Sequence, residues 1–232
     1  SRELESSIPA LASARRSSIA ALVRGGMPIG RLETWKYTPI QPFFAAPFGS
    51  AGDGASAPDE IAPARFLDFG AARPIMFRGA QPDLLGMTSH AGVRVAMLHE
   101  RTIDTRLNDG LDLARYPLAH VNTALLEDGL LIKVDAGIDG GSLDLRFASG
   151  AGAANVSRVR VELAPGSRLH LVEQHAENKP SNVVLEIALD RGAQCEHVRV
   201  LPPGTQPCWY LVSVHVGEAA NYGLASYAMG RT

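Results

Sequence analysis

In the second half of this chain a small residue returns four times, each time three positions after a short apolar strand. "LIKVDAGID" sets Gly137 three residues after Val134, and "VELAPGSRL" sets Gly166 three after Leu163. "EIALDRGAQ" sets Gly192 three after Leu189, and "VHVGEAAN" sets Ala219 three after Val216. The intervals are 29, 26 and 27 residues. Each unit reads as strand, tight turn, strand, and no helical period is read from about Asn122 onward. Strand-only units that recur every ~20–50 residues point to a solenoid, in which each coil buries its apolar face against the next. An antiparallel meander with similar turns is the competing arrangement.

The N-terminal part has another character. Leu4, Ile8, Leu11, Ile19 and Leu22 define one apolar helical face, interrupted by Arg15, Arg16, Ser17 and Ser18. Gly25, Gly26 and Pro28 stop that helix. Trp35, Lys36 and Tyr37 follow in "GMPIGRLETWKYTPI". Two aromatic rings with polar tips, beside the Glu33–Lys36 charges, read as a packing hub between the helix and the next segment. "GSAGDGASAPDE", residues 49–60, lacks aromatic and large aliphatic side chains and reads as a flexible linker. Then "RPIMFRGAQPDLLG" reads as strand, turn and short element, Val93–Leu98 as a strand, and Asp104–Leu113 as a helix. The expected organisation is a helical region over 1–48, a linker over 49–60, a small α/β region over 61–120 and a β-helix over 121–232.

Composition narrows the function classes. The formal charge of −2 advertises neither a nucleic-acid nor an anionic-membrane partner. No apolar run approaches the roughly 18 residues that span a bilayer. Two cysteines, Cys195 and Cys208, make no disulfide framework, and a reducing cytoplasm is the expected setting. No phosphate loop, Gly-x-Ser-x-Gly elbow or His-Glu-x-x-His motif occurs. No closely paired carboxylates suggest glycoside hydrolysis. "AQCEHVRV" puts Cys195, His197 and Arg199 on one strand face, where Cys195 and His197 could share a metal but read better as an ordinary polar face. His170 and His175 fall on opposite faces, and His99 at a strand end is exposed. Two cysteines cannot supply the four thiolates of a usual cluster.

"MPIGRLETWKYTPI" resembles the N-terminal signature of the SufB/SufD family at Pro28, Arg31, Glu33, Trp35, Lys36, Tyr37 and Thr38. "NTALLEDGLLIKVDAG", Asn122–Gly137, resembles the entry into that family's β-helix, and "RPIMFRGAQPDLLG" resembles the hairpin before it. Order and spacing lie nearer the SufD branch than the SufB branch. The resemblance implies a mainly β fold, a right-handed parallel β-helix after a small mixed α/β region. It implies a non-enzymatic scaffold subunit for iron–sulfur cluster assembly in a SufBCD-type complex, in the cytoplasm, with SufB-like and SufC-like partners. The cluster, and a reduced flavin, would belong to the whole complex and not to this chain. It also implies that the chain is the N-terminal portion of a longer protein whose functional Cys and His lie further on. Such a chain is expected to self-associate through its β-helix near Trp209–Met229, most simply as a dimer. The other functional class is a carbohydrate-active or carbohydrate-binding β-helix. That class wants an aromatic-lined groove, and the adjacent Trp209 and Tyr210 point to opposite faces.

Overall fold

The computed structural model describes residues 9–25, 66–70, 72–85, 90–100, 107–108, 111–112, 115–150, 154–176, 179–201 and 208–228. The motif residues Pro28, Arg31, Glu33, Trp35, Lys36, Tyr37 and Thr38 and the expected linker lie outside them, as do Leu4 and Ile8.

The repeat is a parallel β-solenoid. Its four strand–turn–strand units are β4 (Leu130–Val134) with β5 (Asp139–Ala148), β6 (Asn155–Leu163) with β7 (Arg168–Ala176), β8 (Ser181–Leu189) with β9 (Gln194–Leu201), and β10 (Cys208–Val216) with β11 (Asn221–Ala228). The first strands of the units stack in one sheet, in the order β4, β6, β8, β10. The second strands stack in a facing sheet, in the order β5, β7, β9, β11. Every one of these stacked neighbours is parallel, which excludes the meander.

The repeat residues hold equivalent corners. Gly137, Gly166 and Gly192 have φ of 70°, 70° and 68°, and Ala219 has φ of 54°. Each is the third residue of a β-turn closed by a backbone bond, such as Ile138 N–H to Asp135 O at 3.2 Å and Ala193 N–H to Asp190 O at 3.0 Å. A turn with positive φ at that place favours glycine, because an L side chain crowds the following carbonyl. The corners also stack: the amides of Gly137, Gly166 and Gly192 donate to the carbonyls of Pro165, Arg191 and Glu218 at 2.9–3.0 Å. Period, turn and coil-to-coil register therefore share one cause.

Strands from the preceding region continue both sheets. β1 (Arg73–Arg78) pairs parallel with β5 and forms a hairpin with β2 (Gln81–Asp83), and β3 (Val93–Met97) pairs antiparallel with β4. A 3₁₀ turn follows at Leu98–Glu100. Between the sheets runs an aliphatic core of Ile75, Leu130, Ile132, Leu143, Leu145, Val159, Val161, Leu171, Leu185 and Ile187. Phe77 stacks on Phe147 with ring centres 4.5 Å apart, and Phe147 stacks on His175 at 4.7 Å.

Three sequence expectations need correction. The helix α1 (Pro9–Gly25) buries Leu11, Arg15 and Ser18, whereas Ile19 is 47% exposed. Leu11, Arg15, Ser18 and Leu22 fall at spacings of four, three and four, so they share one side. That side faces polar as well as apolar partners, and Ser18 Oγ accepts from Asn108 Nδ2 at 3.4 Å. The helix expected over Asp104–Leu113 is replaced, where described, by a turn: Asn108 adopts φ of 63° and its carbonyl accepts from Leu111 N–H. Finally, Asn122 does not begin strand structure. It lies in the helix α2 (Pro117–Leu125), which opens on proline and hides Asn122 and Thr123 against a sheet. Those two polar residues on the buried side obscured the helical period.

Candidate functional site

Inward-facing positions of the solenoid change chemistry along its axis. In β9 alternation turns Cys195, His197 and Arg199 inward, and all three are buried rather than forming an exposed polar face. The neighbouring strand β7 turns Glu173 and His175 into the same space. Register places Glu173 directly beside Arg199 and Leu171 beside His197.

Glu173 is the hub. Its Oε1 meets His175 Nε2 at 2.7 Å, and its Oε2 accepts from Arg199 Nε at 2.7 Å. His197 Nε2 lies 3.0 Å from the same Oε2 but outside hydrogen-bond geometry, which leaves it an electrostatic contact only. His197 Nδ1 lies 2.8 Å from the Tyr222 hydroxyl on β11. The side chains of Glu173, His175 and His197 have no solvent exposure. Burial alone would raise the Glu173 carboxyl, but the charge and hydrogen bond of His175, the close approach of His197 and the Arg199 charge hold it well below its ordinary range. Burial, then the Glu196 carboxylate, pushes the Cys195 thiol up to about 12. A thiol held protonated is neither a nucleophile nor a ready metal ligand.

The cluster can relay charge and hold coils together. Tyr222, whose phenol burial keeps above its ordinary range, donates to His197 Nδ1 when that imidazole is neutral. The remaining ring proton then sits on Nε2, facing Glu173. A cation would compete here with Arg199, which already neutralises the carboxylate. Among the described residues no three His, Cys, Asp or Glu side chains are arranged to hold a metal ion. Cys195 and His197 thus share a face, as the alternation predicts, but His197 is engaged by Tyr222 and Glu173.

A second buried ion pair lies outside the sheets, beneath α2. Arg158, with no side-chain exposure, meets Glu186 Oε1 at 2.7 Å and Asn108 Oδ1 at 2.9 Å. Asn108 N–H donates to the same Glu186 oxygen at 2.7 Å, and Asn122 Nδ2 donates to the carbonyls of Ser157 and Asn182. This set clamps the N-terminal elements to the solenoid. At the solenoid's first coil, exposed His99 bonds buried Asp128 through Nδ1 at 2.5 Å. His170 is exposed beside Glu196 at 3.1 Å while His175 is buried, as opposite faces require.

Sequence reasoning missed Glu173 and Tyr222 as partners of His197, and His175 as a partner of Glu173. One signal was available: "VEQH" and "EHVR" sit one repeat apart, so Glu173 and Arg199, separated by 26 residues, stack in adjacent coils. Trp209 packs outward against Leu118 and Val121, and Tyr210 packs inward on His175, so neither offers an open sugar platform. No helix among the described residues is long and apolar enough to cross a membrane. No protein-family model matches this sequence, and no curated protein matches it either.

Proposed function

We propose that this chain is a non-enzymatic scaffold subunit of a SufBCD-type assembly that builds iron–sulfur clusters. The observation that carries the reading is a coincidence of two independent features. The chain forms a parallel β-solenoid with in-register corners, and the segment ahead of it holds the Trp35-Lys36-Tyr37-Thr38 signature with Pro28, Arg31 and Glu33. Together they support this reading. The interior chemistry is compatible with a scaffold: the charged groups are paired for cohesion, and the Cys195 thiol is held protonated. Iron, sulfide and reduced flavin then belong to the assembled complex.

In this reading the free edges of β10 and β11 are where a second solenoid pairs, either a SufB-like subunit or another copy. Their backbone groups on that side have no strand partner among the described residues, and Leu224 and Tyr227 are 45% and 60% exposed. Unpaired edges are templates for strand addition. The test is co-expression with tagged SufB-like and SufC-like proteins of the same genome. A stable complex that accumulates iron and sulfide, with no ATP hydrolysis or cluster on this chain alone, is the expected result. Failure to co-purify with either protein removes the proposal.

A further inference from the structure

Strand β11 is the most exposed strand of the solenoid, and it hydrogen-bonds in register to one neighbour, β9. Among the described residues, a single side-chain hydrogen bond ties it inward, from Tyr222 to His197 Nδ1. His197 is itself poorly placed to carry a charge. Glu173 Oε1 is taken by His175 and Oε2 by Arg199, so His197 is the third claimant on one carboxylate. Its Nε2 has no hydrogen-bond partner although its side chain is wholly buried.

We propose that His197 is a pH-sensitive catch for β11: on taking up a proton it changes from acceptor to donor toward Tyr222 and adds a charge the cluster cannot pair, and the strand releases. The ionisable groups facing the catch can be named from every packed element. They are Glu173 and His175 from β7, Cys195 and Arg199 from β9, Tyr210 from β10 by way of His175, and Tyr222 from β11. Only Glu173 is acidic in the relevant range, and Arg199 already balances it. Tyr222 and Cys195 stay protonated and supply no countercharge. A buried charge without a partner is costly, and hydration becomes available only if the coil opens. A hydrated imidazole gains its proton about two pH units above a carboxylate, so mild acid favours the opened coil while the carboxylates are still charged. The proton comes from solvent and returns to it, so the device is reversible.

Amide hydrogen exchange of the whole chain, corrected for the intrinsic pH dependence, tests this at about pH 7.5 and 5.5. Opening at the β11 amides is expected to increase by up to about tenfold at the lower pH, the most that one imidazole proton can give over that interval, while β5 amides, flanked by β1 and β7, hold steady. In His197→Gln the side chain still offers a donor and an acceptor but cannot titrate, so the β11 response should vanish. A flat wild-type response, or an equal response in His197→Gln, overturns the proposal. Should that variant fail to fold, Tyr222→Phe decides the matter. Fast β11 exchange at both pH values supports the catch, and an unchanged wild-type pH response overturns it.

Discussion

The first coils and the last coils of the solenoid are built on the same turn but filled with different matter. Around β1, β5 and β7 the interior presents Ile75, Phe77, Leu143, Leu145, Phe147, Leu169 and Leu171. Around β7, β9 and β11 it presents Glu173, His175, His197, Arg199 and Tyr222. The apolar end is stabilised by burial, a non-directional effect that varies little with pH. The polar end depends on each group finding its partner in the neighbouring coil, which is directional and titratable. A repeat that fixes corner geometry can thus leave interior chemistry free to vary from coil to coil. The aromatic stack from Phe77 through Phe147 to His175 is the seam where one regime passes into the other.

The largest expected break in this comparison comes from Glu173→Ala. It leaves Arg199 buried without its counter-ion, and breaking a buried pair in this way costs about 3–5 kcal/mol. Leu145→Ala at the apolar end should cost a similar ~2–5 kcal/mol through an unfilled cavity. The difference is in rescue. Adding Arg199→Met to Glu173→Ala should recover much of the loss by removing the orphan charge, while it should not improve Leu145→Ala. Urea midpoints of the four variants measure this, and additive losses in the Glu173–Arg199 pair would contradict the description of the polar end.

Acid provides an intermediate break. The folded Glu173 carboxyl lies below its unfolded value, near 4.5, so the folded state binds fewer protons than the unfolded one in that range. Its stabilisation is present above about pH 4.5 and is lost as pH falls through the folded value. Denaturation midpoints measured from pH 6 down to pH 3 should fall, and the fall should be shallower in Glu173→Gln.

The smallest effect concerns the corner shared by all coils. Ala219 alone among the four repeat corners carries a side chain at positive φ. Ala219→Gly should stabilise by up to about 1 kcal/mol, since strain of roughly 1–2 kcal/mol is relieved and part is offset by added freedom in the unfolded chain. Gly166→Ala should destabilise by a similar amount, because an added Cβ meets no atom within 4 Å and the penalty is conformational. Thermal midpoints of the two variants should move in opposite directions.

How much of this was legible without coordinates differs from element to element. The corners at Gly137, Gly166, Gly192 and Ala219 were readable because a turn with positive φ leaves a local mark, a small residue at a fixed offset from the strand end. The opposed faces of His170 and His175, and of Trp209 and Tyr210, followed from strand alternation in the same way. The buried side of α1 was misread, because Arg15 and Ser18 look like surface residues until Asn108 and the clamp around Arg158 are in place beside them. The inward face of β9 was misread for the same reason.

The sequence by itself determined the period, the corners and the strand alternation, since each of these is set by the backbone preferences of a few neighbouring residues; that the strands stack in parallel rather than as a meander was decided by their pairing in the fold. Tertiary structure decided which strand face is inside, that Glu173 serves His175, His197 and Arg199 at once, and that Tyr222 reaches His197 across a coil. Those outcomes depend on residues 24–26 positions apart being stacked within contact distance, where exclusion of water makes an unpartnered charge costly and a partnered one cohesive.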